Sequence, residues 1–576
     1  MQAIKNITWL QRLAMPEYQQ TRQVLIAALC TTGAIFIWFA YLRLDTANPH
    51  YADIFRLLVR EQDFFSTLPF ALVLVVALMG RVQQTGRAVA AWIGRNGVLV
   101  AGATCVLLAV GANLIYHAHP LTMDEYAPYF QSQIFAAGEL AARYPPELID
   151  WLFVKNYQGH FFRIARDTGS VASTYWPGMA LLLAPFTAMG VPWLLNPVIG
   201  GATVFVMHRL AREIFADDDS TGLAVLFTVA SPAVTLNAVS FYSMPAHLLA
   251  SALFVLLLLR PSPKRAASAG LVGSVALVLH NPVPHLLFAL PWIVWIAVRP
   301  DRLRLLAALV AGYLPLCVVL GWGWVLYLRG FASQAPAAEV ASSIGAVQSA
   351  FHALSSLLRV PSGWIVEARL IGLAKIWLWA APGLLAIAAV GFWRSRNETG
   401  FWFALGVSVL VTYLGYFLVP LDQGHGWGFR YFHSAWLALP LFAVHALRAP
   451  DQLGQPASDR LRGYAAGCAL LGLVVMTAVQ GYQIERFMTR HLAQSPLLSG
   501  EGRRVIFIEP TGFYAEDLAQ NDPFLRAPVI TLVSRGRDLD QAMMREHFPS
   551  FELLSSDARG SVWGVPAQPV SGWRAP

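Results

Sequence analysis

Residues 119–130 read HPLTMDEYAPYF, with an acidic pair, Asp124 and Glu125, placed directly after one of the most apolar stretches of the chain. A carboxylate costs roughly 3 kcal/mol or more at the centre of a bilayer, so the pair belongs just outside hydrocarbon. Three roles suit it there: capping a helix, holding a metal, or accepting a proton. Thr122 and Glu125 stand in the register of a T-x-x-E capping box. Tyr126, Phe130, Ile134 and Ala137 then recur at helical spacing and give one apolar face. Pro128 interrupts that register by removing a helical hydrogen bond, and a later helix start would make Asp124 itself the cap. Acidic residues at a helix N-terminus gain roughly 0.3–1 kcal/mol from the dipole, which alone accounts for the pair without chemistry. In the capping-box register, however, Glu125 is used and Asp124 is left without a structural task.

The pair lies in a loop, residues 117–193, that also carries His117, His119, Lys155, His160, Arg163 and Arg166, an unusual density of ionisable groups. Partial desolvation raises a carboxylate pKa and nearby cations lower it. That setting suits a base that must accept a hydroxyl proton. His117 and His119 with Asp124 and Glu125 also form a possible divalent-metal set, whose mixed imidazole and carboxylate donors suit zinc or manganese better than magnesium. The plainer reading is interfacial histidines facing water. His247, near the end of an apolar run, reads as a satisfied boundary residue.

The elements that must position these groups follow from composition. The 576 residues are 56% hydrophobic and only 13% charged, whereas a soluble domain carries about a quarter charged residues. This composition defines a polytopic α-helical membrane protein and excludes a soluble one with a single anchor. The net charge of +8 does not point to nucleic acid, because the basic residues fall mostly in short loops between apolar runs, where they orient helices. The four cysteines, Cys30, Cys105, Cys317 and Cys468, all lie inside apolar runs, and no disulfide is expected.

Spans are expected near 24–43, 66–82, 96–116, 194–213, 222–239, 244–260, 267–281, 284–298, 303–327, 371–391, 401–419, 429–447 and 463–482, about thirteen in all. The first should remain as a signal anchor. Lys and Arg cluster after every second span, at 81–87, 208–215, 260–265, 299–304, 393–396 and 459–462. With Lys5, Arg12 and Arg22 near the start, they place the N-terminus in the cytoplasm. The segments 44–65, 117–193, 328–370, 420–428 and everything after about 483 then lie outside. Residues 176–190 are apolar, but counting them as a span breaks this alternation, so they are expected to lie at the outer face. After 482 the pattern changes: RRVIFIEP, APVITLVS, FELLSS and SVWGV read as strands and DLDQAMMREHF as a helix, a small outer α/β domain. The expected domains are thus 1–95 (a cytoplasmic segment and two extra spans), 96–482 with its outer loop 117–193, and 483–576.

MDEYAPYFQSQIFAAGEL in the first long outer loop resembles the GT-C glycosyltransferases, the protein-mannosyltransferase and aminoarabinose-transferase-like superfamily. Further segments are similar in order: YWPGMALLLAPFTAMGVPWLLNPVIGG (175–201), FYSMPAHLLASALF (241–254), HNPVPHLLFALP (280–291), GWGFRYFHSAWLALP (426–440) and the terminal PVITLVSRGRDLDQAMMREHFPSFEL. The likeness runs from about 96 onward, and the first two spans look like an addition. It implies an inverting enzyme of the inner membrane that takes sugar from a polyprenyl-phosphate donor at the outer face and gives it to a hydroxyl on a glycan, lipid or protein. It implies Asp124 as general base and Glu125 as its orienting, capping or metal-binding neighbour. No cofactor is required, and a divalent metal is optional. The departing lipid phosphate needs cations or N–H donors. Arg430 is the first candidate, with Tyr431 and then Arg163 or Arg166, since Arg forks onto phosphate oxygens as Lys does not. Many relatives carry an Arg beside Pro where this chain has His280, a weaker phosphate partner. Arg430 and Tyr431 also suit a plain anchoring role at a helix end.

Two other classes fit a chain with this many spans. A transporter or flippase would show inverted repeats and ionisable groups near the midplane, and neither is evident in the sequence. A non-catalytic envelope-assembly subunit would need no acid at position 124.

Overall fold

The structure is a computed structural model that describes residue 15 and residues 18–44, 54–332, 360–419, 424–448, 455–498 and 502–565. Lys5, Arg12 and the greater part of the 328–370 segment lie outside the described residues. Long apolar runs close their backbone hydrogen bonds as helices, the only open-chain structure that satisfies them in hydrocarbon. Among the described residues six helices are long and apolar enough to cross a membrane: Gln19–Leu44, Gly97–Leu114, Pro192–Phe215, Arg302–Arg329, Phe401–Leu418 and Asp459–Leu492. Two bent pairs add to these, Ile54–Val76 with Gly80–Arg95 (94°) and Asp218–Val229 with Pro232–Val239 (64°). Leucines and valines face outward on such helices; Val98, Leu107 and Leu114 are 74, 71 and 67% exposed. Water would penalise that surface and lipid does not. The chain is a polytopic α-helical membrane protein with a small C-terminal α/β portion.

Three sequence expectations change in detail. Residues 81–87 are not a loop but the start of an amphipathic helix, Gly80–Arg95, turned sharply from the preceding one. The span expected at 371–391 is two helices, Gly363–Leu378 and Leu384–Arg394, separated by a turn in which Gly383 takes φ 79°. The span expected at 429–447 opens as a 3-10 turn, Arg430–Ala435, and only then becomes the helix Ala438–Arg448. Pro382 and Gly383 break the first, and the glycines before Arg430 delay the second.

By its packing the chain forms two compact units. The first comprises Met1–Tyr116, Trp193–Trp322 and Ala338–Ile484. Within it, helices approach backbone to backbone where glycines allow: a Cβ on Gly270 would lie 2.1 Å from the Leu309 carbonyl oxygen, and one on Gly312 would lie 2.0 Å from that of Ala267. A fully buried ion pair joins Lys375 Nζ to Asp63 Oδ2 at 3.0 Å. Asp63 ends a π-helical turn, Val59–Asp63, and its other oxygen accepts Trp379 Nε1–H at 2.7 Å.

The second unit comprises His117–Pro192, Gly323–Ala337 and Glu485–Pro576. The helix Met123–Ala136 packs with Gly178–Ala188, joined by a Ser132–Thr187 hydroxyl pair at 2.8 Å. The latter helix has 11 residues and at 1.5 Å per residue is about 16 Å long, half the thickness of a hydrocarbon core. A three-stranded antiparallel sheet sets Ser170–Ser173 between Ala142–Arg143 and Phe162–Ala165. The terminal residues form a four-stranded sheet in the order Val529–Val533, Arg504–Ile508, Gly560–Gly564, Glu552–Asp557, with only the first pair parallel. The helix Arg537–His547 supplies the crossover that a parallel pair needs. Both portions share one core, in which Tyr126, Phe130, Phe153 and Phe162 cluster with Val505, Phe507, Leu532 and Met544.

Candidate functional site

Thr122 adopts extended backbone, φ −123° and ψ 166°, and the capping box closes on it. Glu125 is fully buried, and its Oε2 accepts the N–H groups of Leu121 at 2.8 Å and Thr122 at 3.4 Å. That carboxylate is committed to two otherwise orphaned backbone donors. Asp124, one position earlier, is partly buried, and its Oδ1 accepts the Tyr175 hydroxyl at 2.5 Å. Tyr175 is itself fixed, since its carbonyl accepts Trp324 Nε1–H at 2.8 Å. Pro128 is accommodated inside the helix, which runs unbroken from Met123 to Ala136.

A second acid, Asp517, stands beside this pair and was not foreseen. It is 4% exposed, on the 3-10 turn Ala515–Leu518. Its carboxyl accepts the Met123 N–H and the Tyr157 hydroxyl, and it feels the charge of Asp124. Burial is the largest influence and pushes its pKa up to about 8. Tyr514 initiates the turn in the left-handed region, φ 54°, a conformation a non-glycine residue holds at some cost.

The remaining candidates separate. His117 Nε2 meets Thr489 Oγ1 at 3.2 Å and lies 3.8 Å from Glu485. His119 packs its ring 6.3 Å from that of His491, and its Nε2 has no hydrogen-bond partner. Burial, and then the charge of His117, lower the His119 pKa to about 4. Arg166 is bound to Asp150 through two nitrogens at 2.8 and 3.2 Å and to Gln158 at 2.7 Å. Those bonds, Arg166 first, hold the Asp150 carboxyl below its usual range. Lys155 and Arg166 line one surface cleft, while Arg163 and His160 are exposed on and beside the strand Phe162–Ala165. Among the described residues no group of three or more His, Cys, Asp or Glu side chains is arranged to hold a metal ion. Glu125 turns back onto its own helix, which takes it away from any set with Asp124 and His119.

In the membrane unit, Arg430 is 8% exposed and its guanidinium stacks over Tyr242 at 4.5 Å. The loop leading to it is tightly fixed. Arg430 N–H donates to the Gly424 carbonyl at 2.7 Å, Lys375 Nζ to that of Gly426 at 3.1 Å, and Asn237 to that of Trp427 at 2.5 Å. Tyr431 stacks face to face on Tyr416 at 4.1 Å, and Arg369, fully buried, lies 5.0 Å from its ring centre. His247 is not satisfied: it is 3% exposed and neither ring nitrogen has a hydrogen-bond partner. His280, His285 and His433 lie near enough to His247 to interact with it electrostatically. A carbon-lined cavity of about 750 Å³ runs past Phe432, Tyr413, Trp377 and Trp38.

No family model matches the sequence, and no curated protein does. Among solved structures the chain is similar to ArnT from Cupriavidus metallidurans bound to undecaprenyl phosphate, with a TM-score of 0.49 and 12% identity over 81% of this chain and 97% of that one. The apo state of the same protein aligns at TM-score 0.48 and 13% identity, with the same coverage. At that identity the resemblance assigns no residue.

Local sequence missed Tyr175, Asp517, Asp63, Lys375 and Arg369. Tyr175 and Asp517 carry no signal of their own, because their partner on the loop helix is distant in the chain. Lys375 did carry one: a lysine inside a run otherwise apolar calls for a buried partner.

Proposed function

We propose that the chain is a glycosyltransferase of the inner membrane that moves a sugar from a polyprenyl-phosphate donor to an acceptor hydroxyl at the outer face, with inversion. The observation that carries this reading is the division of labour at the loop helix. Glu125 is spent on the cap, while the partly buried Asp124 carboxylate is aimed by Tyr175. A carboxylate so held is preorganised as a general base. In the step envisaged, the acceptor oxygen forms a bond to the anomeric carbon and passes its proton to Asp124. The bond from that carbon to the phosphate oxygen breaks, and the electron pair leaves with the lipid phosphate.

Arg430 is the group assigned to the growing phosphate charge, since a guanidinium keeps its charge and forks onto two oxygens. Its near-complete burial and rigid loop support that role. The open apolar cavity past Phe432, two residues from Arg430, is assigned to the isoprenoid chain, for which its lining is almost wholly apolar side chains. Tyr431 braces Arg430 through its stack on Tyr416. Arg166 is given a structural role, because both faces of its fork are engaged by Asp150 and Gln158. The N-terminus is assigned to the cytoplasm and the loop and terminal α/β portion to the periplasmic or extracellular side. Membranes carrying Asp124→Asn test the reading: transfer from a polyprenyl-phosphate sugar should be lost while the protein still inserts.

A further inference from the structure

The terminal domain is tied to the start of the loop helix by one short segment, Tyr514–Asp522. Gln520 Nε2 donates to the Pro120 carbonyl at 2.8 Å and to that of Asp517 at 2.9 Å. The Tyr126 hydroxyl donates to the Asn521 carbonyl, and Tyr144 reaches that of Asp522 at 3.4 Å. Asn521 is held in turn by the strand Val529–Val533, through Thr531 in both directions at 2.8 Å. Asp517 completes the set by accepting the first helical N–H, that of Met123. We propose that Asp517 is a positioning residue for Asp124, a carboxyl supplied by the terminal domain that clamps the first turn of the helix on which the base stands. The inference rests on the reading of Asp124 as the base.

The chemistry of the clamp favours this over a packing role. A buried acid is a poor choice for packing alone: its folded pKa is raised to about 8 from 3.8. Its contribution to stability is therefore complete below about pH 3.8 and is lost as pH rises through 8. The groups facing Asp517 are Asp124 from the loop helix, Tyr157 from the turn Lys155–Tyr157, and Glu516 from its own turn. Two of these are acids, and their charge together with burial opposes ionisation of Asp517 more strongly than the bonds from Met123 and Tyr157 favour it, so an ionised Asp517 strains its contact with the helix of Asp124. While neutral, it accepts from Met123 and Tyr157 and adds no second charge beside Asp124. Losing the clamp frees the first helical turn and lets the base wander from its line of attack.

The test uses the full chain in detergent or proteoliposomes, with a polyprenyl-phosphate sugar as donor. Asp517→Ala should lower kcat at pH 7 by tenfold or more, with KM for donor within twofold of the wild type. Asp517→Asn should recover most of that loss, because the amide oxygen still accepts from Met123. The wild-type rate should fall as pH rises through 8, and Asp517→Asn should lack that limb. A purely structural residue would not move the pH profile. Wild-type kcat in Asp517→Ala, or an unchanged alkaline limb in Asp517→Asn, overturns the proposal. If Asp517→Ala does not fold, the pH profile of Asp517→Asn decides alone. An Asp124→Asn variant run in parallel separates the two readings. Full transfer by it removes the base assignment, whereas a dead Asp124→Asn beside an unaffected Asp517→Ala removes only the clamp.

Discussion

Tyr175→Phe deletes one oxygen atom and, with it, the hydrogen bond on Asp124 Oδ1. A hydrogen bond to a charged group is worth about 1.5–3 kcal/mol, so kcat should fall about tenfold or more. The KM for donor and the melting temperature should change little, since the ring still packs. Steady-state kinetics on the purified variant check this, and a loss confined to KM would contradict it. At this scale the sequence was informative only where partners are neighbours. The T-x-x-E register separated Glu125 from Asp124 because the capping box is closed within four residues. Tyr175 and Asp517 were out of reach, because what brings them to Asp124 is a tertiary core and not a spacing. His247 went astray for the opposite reason: its neighbours look ordinary in sequence, and only burial reveals two ring nitrogens without partners.

Among the elements, the last turn of the helix Gly363–Leu378 and the π-helical turn Val59–Asp63 meet at a buried charge pair that braces the Arg430 loop. Removing one partner leaves the other charge buried and uncompensated, which typically costs about 3–5 kcal/mol. Asp63→Ala should accordingly lower the thermal stability of the detergent-solubilised protein sharply. Joint replacement of Asp63 and Lys375 by apolar residues of similar volume should recover most of it. Equal melting of Asp63→Ala and the wild type would show that the pair is not coupled as described. Helix positions were largely legible from apolar run length, but of the thirteen spans expected only six helices and two bent pairs among the described residues are long and apolar enough to cross. Helix breaks were not, because 371–391 is continuous in hydropathy. The first helix ends at Leu378, and Gly383 at positive φ after Pro382 starts the next.

For the whole molecule, composition and loop charge identified a polytopic chain and gave an orientation that can be measured. In the cysteine-free protein, a cysteine introduced at Thr168 should react with an impermeant reagent added from outside, and one at Arg396 should not. The reverse pattern would invert the topology. The four strands and one helix of the terminal α/β portion were readable from alternation and turn residues. That this portion shares a core with the loop was not readable, since Phe130 and Phe507 announce burial without naming a partner. The shared core gives the terminal domain a place in the chemistry proposed for the loop. The most direct test remains transfer of sugar from a polyprenyl-phosphate donor by membranes containing Asp124→Asn. Transfer should be lost, with the protein present in the membrane at wild-type level and Glu125 still capping its helix. Transfer at the wild-type rate would contradict the assignment of Asp124 as the base.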